Sequence, residues 1–320
     1  MRTTEAPREE LPPLDLRRLR DLDLSEPPAQ GRPAHIAAAS GIAKRGNFAY
    51  VVGDELLEVA VFELAGGGPG TARRVFDEPA DVGGEPDKPD LEGLTSLPPV
   101  QGEPNGGLLG IGSGSKPSRD RGFFWSLATD GRLEGEPRTI DMRPAYDVMR
   151  AELDGDVNVE GAAVLGSSLW LLHRGNASAA PNTIAEFELG DLSRSLRDDL
   201  VIDPDELSGM HAYELGELDG VPLCFSDATT LTDELICFTA SAEDDDGKIH
   251  GSVVGTIRAD GSVRRLRTID PQWKVEGVHA TIDSGVIDFL VVCDQDDSET
   301  PSPLLSATMP IERELDADRA

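Results

Sequence analysis

The sequence is poor in positive charge. Its 320 residues include 29 Lys and Arg against 60 Asp and Glu, which gives a formal net charge of −31 at pH 7. Proteins that bind nucleic acid through its phosphates need a basic surface, and an anionic membrane leaflet repels a surface this negative. We therefore expect neither a nucleic-acid partner nor a membrane partner. An acidic surface suits a cation site or simple solubility.

Cysteines and long apolar runs are also scarce. No stretch reaches the roughly 18 apolar residues that predict a membrane span. Residues 1–7 lead into proline and charged residues, so no secretory signal is predicted. The three cysteines, Cys224, Cys237 and Cys293, lie in apolar runs, as reduced core cysteines do. We expect a cytoplasmic monomer.

Short alternating runs recur along the chain and predict strands. They are rich in β-branched or aromatic residues and are bounded by Gly, Asp, Asn or Pro, which is the pattern of a strand. Helical periodicity is confined to Ala145–Leu153 and Asp191–Asp199. The predicted fold class is therefore all-β. The predicted strand runs are Phe48–Val52, Leu108–Ile111, Phe123–Leu127, Ser168–Leu172, Thr183–Leu189, Glu234–Thr239, Ser252–Ile257 and Val286–Val292.

An internal repeat organises these strands. An acidic or hydroxyl residue followed by a small residue recurs five times, and the small residues lie 52, 68, 67 and 49 positions apart. Repeats of about 40–55 residues with four strands each are typical of β-propeller blades. We predict five blades of four-stranded antiparallel sheets, with six as the alternative. The five blade starts are Ser40-Gly41, Glu92-Gly93, Glu160-Gly161, Asp227-Ala228 and Glu276-Gly277.

The repeat also predicts the domain organisation. Residues 13–310 form a single propeller domain, residues 1–12 a flexible N-terminal tail, and residues 311–320 a charged C-terminal tail. The alternating leucines of Leu14–Leu24 are expected to supply an outer strand that closes the ring. Ser208-Gly209 competes with Asp227-Ala228 as the fourth blade start, and we favour Asp227 because its following strand ends after the same interval as in the other blades.

The repeat places carboxylates at equivalent positions. The innermost strand of every blade lines the channel of a propeller, so equivalent residues form a ring around its axis. Several ionised carboxylates at short range must take up protons or bind a cation. Calcium is the expected cation, because it accepts about six to eight oxygen ligands in irregular geometry, and no Cys/His pair has zinc-ligand spacing. The predicted metal ligands are Glu92, Glu160, Asp227 and Glu276.

Polar clusters end the second strand of each predicted blade. Because that strand runs back, we expect these clusters on the same face as the carboxylates. His173 or Glu243 is predicted to activate a water, and Lys116 or Arg174 to stabilise a developing oxyanion. Further substrate contacts are expected from four polar residues, which are Arg119, Arg121, Asn176 and Asp294.

Three blade starts resemble a known family. The blocks Pro89–Leu94, Asn158–Ala162 and Lys274–Val278 are similar to the Glu-Gly blade starts of phytase-like calcium propellers. These include proteins labelled "esterase-like activity of phytase" and, more remotely, the gluconolactonase and paraoxonase group. The resemblance covers residues 40–293 and implies a central calcium bound by three glutamates. In gluconolactonase-like members this ion polarises a lactone carbonyl or orients a water. The basic residues of a true phytase are not found, so phytase activity is not expected.

Two functions of different classes follow. The first is a calcium-dependent hydrolase of a lactone, ester or phosphoester. The second is a non-catalytic propeller that binds a metabolite or a partner protein, with calcium holding the blades together. The expected ligand is a small molecule, with an anionic one favoured by the basic residues at the mouth. Propellers serve both uses, so the fold alone does not decide.

Overall fold

The computed structural model describes residues 3–7, 11–77, 80–82, 85–100, 102–175, 181–189 and 200–311. In chain order, the strands are β1 (Thr3–Glu5), β2 (Arg17–Asp21), β3 (Gly41–Arg45), β4 (Phe48–Val52), β5 (Glu58–Glu63), β6 (Thr71–Arg74), β7 (Ala80–Val82), β8 (Glu85–Asp87), β9 (Leu91–Leu97), β10 (Gly107–Gly112), β11 (Arg121–Ser126), β12 (Arg138–Asp141), β13 (Val159–Leu165), β14 (Ser168–His173), β15 (Asn182–Glu188), β16 (Leu207–Glu214), β17 (Glu217–Leu218), β18 (Val221–Thr232), β19 (Leu235–Glu243), β20 (Ile249–Arg258), β21 (Val263–Thr268), β22 (Val275–Asp283), β23 (Val286–Cys293) and β24 (Pro303–Pro310). The α-helix of the described chain is α1 (Arg143–Leu153).

The strands form a five-bladed β-propeller, as the repeat predicts. Blade 1 is β3–β6, blade 2 is β9–β12, blade 3 is β13–β16, blade 4 is β18–β21, and blade 5 is β22–β24 with β2. Each predicted blade start lies in an inner strand or directly before one. Ser208 lies in β16, the outer part of blade 3, so Asp227-Ala228 is the fourth start.

The N-terminal segment closes the ring. β2 pairs antiparallel with β24, the last strand of the chain, so blade 5 combines both ends of the domain. This confirms the outer strand predicted within Leu14–Leu24. Within the segment assigned to an N-terminal tail, Thr3–Glu5 pairs in parallel with the end of β16 as a fifth strand of blade 3. Residues 312–320 of the predicted C-terminal tail lie outside the described residues.

Both faces of the central strands are buried, because neighbouring blades pack face to face. In β4, Ala49, Tyr50, Val51 and Val52 are all fully buried. A strand covered on both sides has no polar face to alternate with. The alternation expected for the run Phe48–Val52 is therefore not found in β4, where consecutive side chains are buried on both faces.

The helix α1 fills the space between blades 2 and 3. Ala145, Tyr146 and Met149 of α1 are buried and join the apolar cluster shared by these blades. Its C-terminus ends at Asp154 in the left-handed conformation. The sequence predicted this helix at Ala145–Leu153, whereas the second predicted helix, Asp191–Asp199, lies outside the described residues. In the part of the chain that the structure describes, no helix has the length and hydropathy that a membrane span requires.

The small residue of each repeat allows the inner strands to approach one another. A Cβ atom on Gly161 would lie 2.8 Å from the backbone of Asp227 in the next blade, and one on Gly277 would lie 2.6 Å from the carbonyl oxygen of Ser40. Real Cβ atoms do not approach backbone this closely, so any side chain here would push two blades apart. The repeat is therefore a packing requirement of the closed ring.

Replacing Gly161 with Ala tests this packing. We expect the free energy of unfolding to fall by about 1–3 kcal/mol, the usual cost of overpacking a rigid site. Urea denaturation of both proteins measures the change. The control is Gly68→Ala, because a Cβ on Gly68 would meet nothing within 4 Å. Equal stability of Gly161→Ala and the parent would contradict the close contact between blades 3 and 4.

Candidate functional site

Three of the repeat glutamates lie at β-bulges. The ladder between β9 and β10 pairs Leu91 and Gly93 with consecutive residues of β10 and skips Glu92. Glu160 is skipped in the same way in blade 3, and the irregularity in blade 5 spans Glu276 and Gly277. A bulge bends a strand and changes the direction of the extra side chain. These bulges occur where the inner strands begin, at one mouth of the channel.

The three glutamates share one electrostatic environment. Burial raises the pKa of Glu92, and the neighbouring charge of Glu160 raises it further. Burial likewise raises the pKa of Glu160. The pKa of Glu276 rises to about 8, because of burial and then of the charge on Glu160. At neutral pH Glu276 is therefore mostly protonated.

Two basic side chains lie among these carboxyls. Nη1 of Arg174 lies 3.6 Å from Oε1 of Glu160, and its Nη2 lies 2.5 Å from Oε2 of Glu243. Nζ of Lys274 lies 3.8 Å from Oε1 of Glu276. Both cations lower the pKa of Glu276 against the effect of burial. The chain therefore supplies part of the positive charge that the carboxylates require.

Each basic residue of this mouth bridges several acids. Lys274 also contacts Asp294 at 2.9 Å and Asp296 at 2.8 Å. Lys88 lies 2.6 Å from Asp54 and 2.7 Å from Asp90, and Arg119 contacts Asp90 at 2.7 Å and Asp87 at 3.2 Å. We define the mouth cluster as four basic residues, Lys88, Arg119, Arg174 and Lys274, with nine acidic ones, Asp54, Asp87, Asp90, Glu92, Glu160, Glu243, Glu276, Asp294 and Asp296. Acidic residues therefore outnumber basic residues in the cluster by more than two to one.

Asp227 differs from the three glutamates. In blade 4 the irregularity falls at Ser226, one residue earlier, so Asp227 itself is paired in the ladder. Its fully buried carboxylate accepts hydrogen bonds from the backbone N–H groups of Ala228 at 2.7 Å and Val278 at 2.8 Å. Burial raises its pKa well above the usual range. Asp227 therefore joins blade 4 to blade 5 through the backbone.

His173 lies behind the mouth. The residue is 1% exposed, and its Nδ1 accepts a hydrogen bond from the backbone N–H of Asn158 at 3.0 Å. Among the described residues, no group hydrogen-bonds its Nε2. Burial lowers the pKa of the imidazole to about 4. His173 is neutral and shielded from water, which is a poor position for the general base predicted from the sequence.

Of the other predicted site residues, four belong to the mouth cluster and one lies at its edge. Glu243, Arg174, Arg119 and Asp294 belong to the mouth cluster. Lys116 is more than half exposed, with Nζ 3.8 Å from Asp87 at the edge of the cluster. The guanidinium of Arg121 lies over the ring of Phe76, 4.1 Å from its centroid, and burial lowers its pKa. Asn176 lies outside the described residues.

Sequence reasoning missed several members of the cluster. Asp90 and Lys274 of the cluster each stand two positions before a repeat glutamate, as does Asn158, which donates a hydrogen bond to Glu160. This recurrence of a polar residue was an available signal. Alternation along a strand was not, because the three positions precede β9, β13 and β22 and adjoin their bulges. Lys88 and Asp54 carried no such signal, because loops bring them to the mouth.

The arrangement bears on the predicted calcium. Among the residues that the structure describes, no three His, Cys, Asp or Glu side chains are grouped so that they could hold a metal ion. Asp227 is engaged by two backbone N–H groups, while Arg174 and Lys274 lie beside Glu160 and Glu276. As arranged, these residues do not form a calcium site. The calcium ion remains a prediction from the sequence.

Comparisons with known proteins identify a family and several distantly similar solved structures. A model described as "Family of unknown function (DUF6929)" matches residues 35–309, and no curated protein matches the chain. Glutaminyl cyclase from Myxococcus xanthus is 13% identical, with 93% of this chain and 100% of that chain covered and a TM-score of 0.45. A putative exo-β-1,3-galactanase from Bifidobacterium bifidum is 12% identical, with 92% and 93% covered and a TM-score of 0.47.

A third solved structure is similar at the same level. The mannose phosphorylase MPT-4 from Leishmania mexicana is 11% identical, with 92% of this chain and 90% of that chain covered and a TM-score of 0.47. Likeness this distant carries no argument about activity. The relation to phytase-like propellers is not confirmed by these matches and stays a resemblance.

Proposed function

The chain belongs to the DUF6929 family of unknown function, and we propose that it hydrolyses a small uncharged ester or lactone at the mouth cluster. One observation carries this proposal: Glu92, Glu160 and Glu276 from three blades lie at one mouth, where burial raises the pKa of each and Arg174 and Lys274 lie beside Glu160 and Glu276. Carboxyl groups whose surroundings separate their pKa values supply an acid and a base to one reaction.

Glu276 suits the role of general acid. Its pKa of about 8 keeps a proton on the carboxyl at neutral pH. A general acid works best when its pKa lies near the working pH. In ester or lactone hydrolysis, Glu276 would give this proton to the alkoxide oxygen as the C–O bond breaks.

Glu160 suits the role of general base. Nδ2 of Asn158 donates a hydrogen bond to its Oε1 at 2.7 Å, and the Arg174 guanidinium lies 3.6 Å from the same oxygen. Both contacts favour the ionised form and lower its pKa against burial. Glu160 would remove a proton from the water that attacks the carbonyl carbon, and Arg174 would stabilise the oxyanion that forms.

The charge of the mouth cluster selects the substrate. Nine acidic residues surround four basic ones, and each basic residue already contacts at least two carboxyls. A phosphoester would meet like charge there, and the four cations of the cluster are already paired with carboxylates. This balance favours an uncharged substrate over the anionic one expected from the sequence.

Turnover of defined substrates tests the proposal. The panel contains short-chain aryl esters and γ- and δ-lactones, with phosphomonoesters for comparison. We expect the parent to hydrolyse an ester or lactone and Glu160→Gln to lose about 10²–10⁴-fold in kcat, the usual contribution of a general base. Glu214→Gln is the matched control, because Glu214 is an exposed residue at the end of an outer strand.

Two outcomes would overturn the proposal. One is that no ester or lactone in the panel is hydrolysed; lactone binding without turnover would then favour the non-catalytic function. The other is that Glu160→Gln keeps the parent's kcat.

The calcium prediction has its own test. A bound ion stabilises the folded state by mass action, so the sequence-based prediction expects calcium to raise Tm and a chelator to lower it. Differential scanning fluorimetry across a calcium series measures both. An unchanged Tm in both conditions would contradict the calcium prediction.

A further inference from the structure

A polar cavity lies at the other mouth of the channel, opposite the mouth cluster. It has a volume of about 540 Å³, within the range of small-molecule sites, and all five inner strands contribute to its lining. Lys44 and Arg45 come from β3, Thr95 and Ser96 from β9, and His279 from β22. The cavity lies where these strands end, whereas the mouth cluster lies where they begin.

The charge of this cavity is opposite to that of the mouth cluster. Its charged lining residues are Lys44, Arg45 and Asp233, two basic and one acidic. Within the described ranges, neither Lys44 nor Arg45 has a carboxylate within 4 Å, and the guanidinium of Arg45 reaches only the carbonyl oxygen of Asn105 at 3.4 Å. Two cations without acidic partners are notable in a chain of net charge −31.

Polar groups that suit an anion line the same cavity. The hydroxyl oxygen of Ser96 is buried without a hydrogen-bond partner among the described residues. The Thr229 hydroxyl lies 3.5 Å from Nδ1 of His279. Burial and then the charges of Lys44 and Arg45 lower the pKa of His279 to about 4, so the imidazole is neutral. These groups can donate hydrogen bonds to an oxyanion without adding negative charge.

We infer that this cavity binds the oxyanion group of a small metabolite, a phosphate or a carboxylate, through Lys44 and Arg45. Charge-assisted hydrogen bonds from lysine and arginine are the common means of holding such groups. The site stands apart from the proposed hydrolase function, because it shares no residue with the mouth cluster. It also gives an anionic ligand a place that the acidic mouth does not offer.

Isothermal titration calorimetry with the full chain tests the site. Inorganic phosphate and citrate are the two probes, and they distinguish the phosphate class from the carboxylate class. We expect one of them to bind, with Kd weakened at least about tenfold in the double variant Lys44→Gln/Arg45→Gln, because two charge-assisted contacts are lost. Lys248→Gln is the control, since Lys248 is exposed in a turn and lies outside this cavity.

A reciprocal variant strengthens the test. Asp233→Asn removes the acidic residue of the lining, so we expect it to tighten binding of the same probe. Glu160→Gln should leave the Kd of the anion unchanged while it lowers kcat for ester or lactone hydrolysis. This difference separates the anion site from the proposed hydrolase site. Absence of binding by both probes, or equal Kd values for the parent and the double variant, would overturn the inference.

Discussion

Arg174→Gln is expected to lower the free energy of unfolding by about 3 kcal/mol at neutral pH. Removing one partner of a buried ion pair leaves the other charge uncompensated, at a cost of about 3–5 kcal/mol. We expect a loss at the lower end of this range, because the Arg174 side chain remains 20% exposed. The variant leaves Glu160 and Glu243 without their guanidinium contacts, and urea denaturation measures the loss.

The effect of this substitution should depend on pH. The folded-state pKa of Glu276 is about 8, above its usual 4.5, so folding favours the protonated form. The contribution of this group to stability is complete below about pH 4.5 and is lost as the pH rises to about 8. Arg174 lowers the pKa values of Glu160 and Glu276. Without it both rise further, so the destabilisation should be larger at pH 8 than at pH 5.

Arg132→Gln provides the comparison for Arg174. Arg132 forms an exposed ion pair with Asp130, and its side chain is 66% exposed. Exposed pairs contribute roughly 0–1 kcal/mol, so little change is expected. A loss from Arg174→Gln as small as that from Arg132→Gln, or one that does not grow with pH, would show that the guanidinium does not compensate the carboxyls.

Glu276→Gln is expected to lower kcat by about 10²–10⁴-fold and to raise stability at alkaline pH. The first effect follows because the glutamine amide is too weak an acid to protonate the leaving group. The second follows because the neutral amide removes a carboxyl that burial and Glu160 make costly to ionise. In the parent, kcat should fall above about pH 8 as Glu276 loses its proton. Initial rates against pH and urea denaturation at pH 8 measure the two effects.

The opposite directions of these effects identify the role of Glu276. A residue that only supports the fold would lose activity and stability together. The control is again Glu214→Gln, for which neither quantity should change. Full activity in Glu276→Gln, or an unchanged rate between pH 7 and pH 9 in the parent, would contradict the general-acid role.

The blade repeat could be read from the sequence because packing imposes it. Closure of the ring leaves no space for a side chain where Gly161 approaches Asp227 and where Gly277 approaches Ser40. A small residue must therefore recur once per inner strand, whatever the loops contain. The same periodicity located Glu92, Glu160 and Glu276 at one mouth, since equivalent positions of a closed ring face a common axis.

The partners of these glutamates could not be read in the same way. Arg119 meets Asp87 across 32 positions, and Arg174 meets Glu243 across 69. No local pattern reports such contacts, which depend on where loops from different blades end. Sequence analysis placed Arg174 on the face of the carboxylates, but it did not predict the contacts of Arg174 with Glu160 and Glu243.

The sequence by itself favoured five blades over six and gathered the acidic residues at one mouth, because both follow from a repeated packing constraint. It also located the closing strand within Leu14–Leu24. Tertiary structure decided the role of each carboxyl. A bulge at Ser226 instead of Asp227 directs one carboxylate to the backbone of the next blade, while bulges at the three glutamates leave theirs at the channel. A shift of one residue in register has no sequence signature. It nevertheless distinguishes Asp227, which holds two blades together, from Glu160 and Glu276, the candidate base and acid.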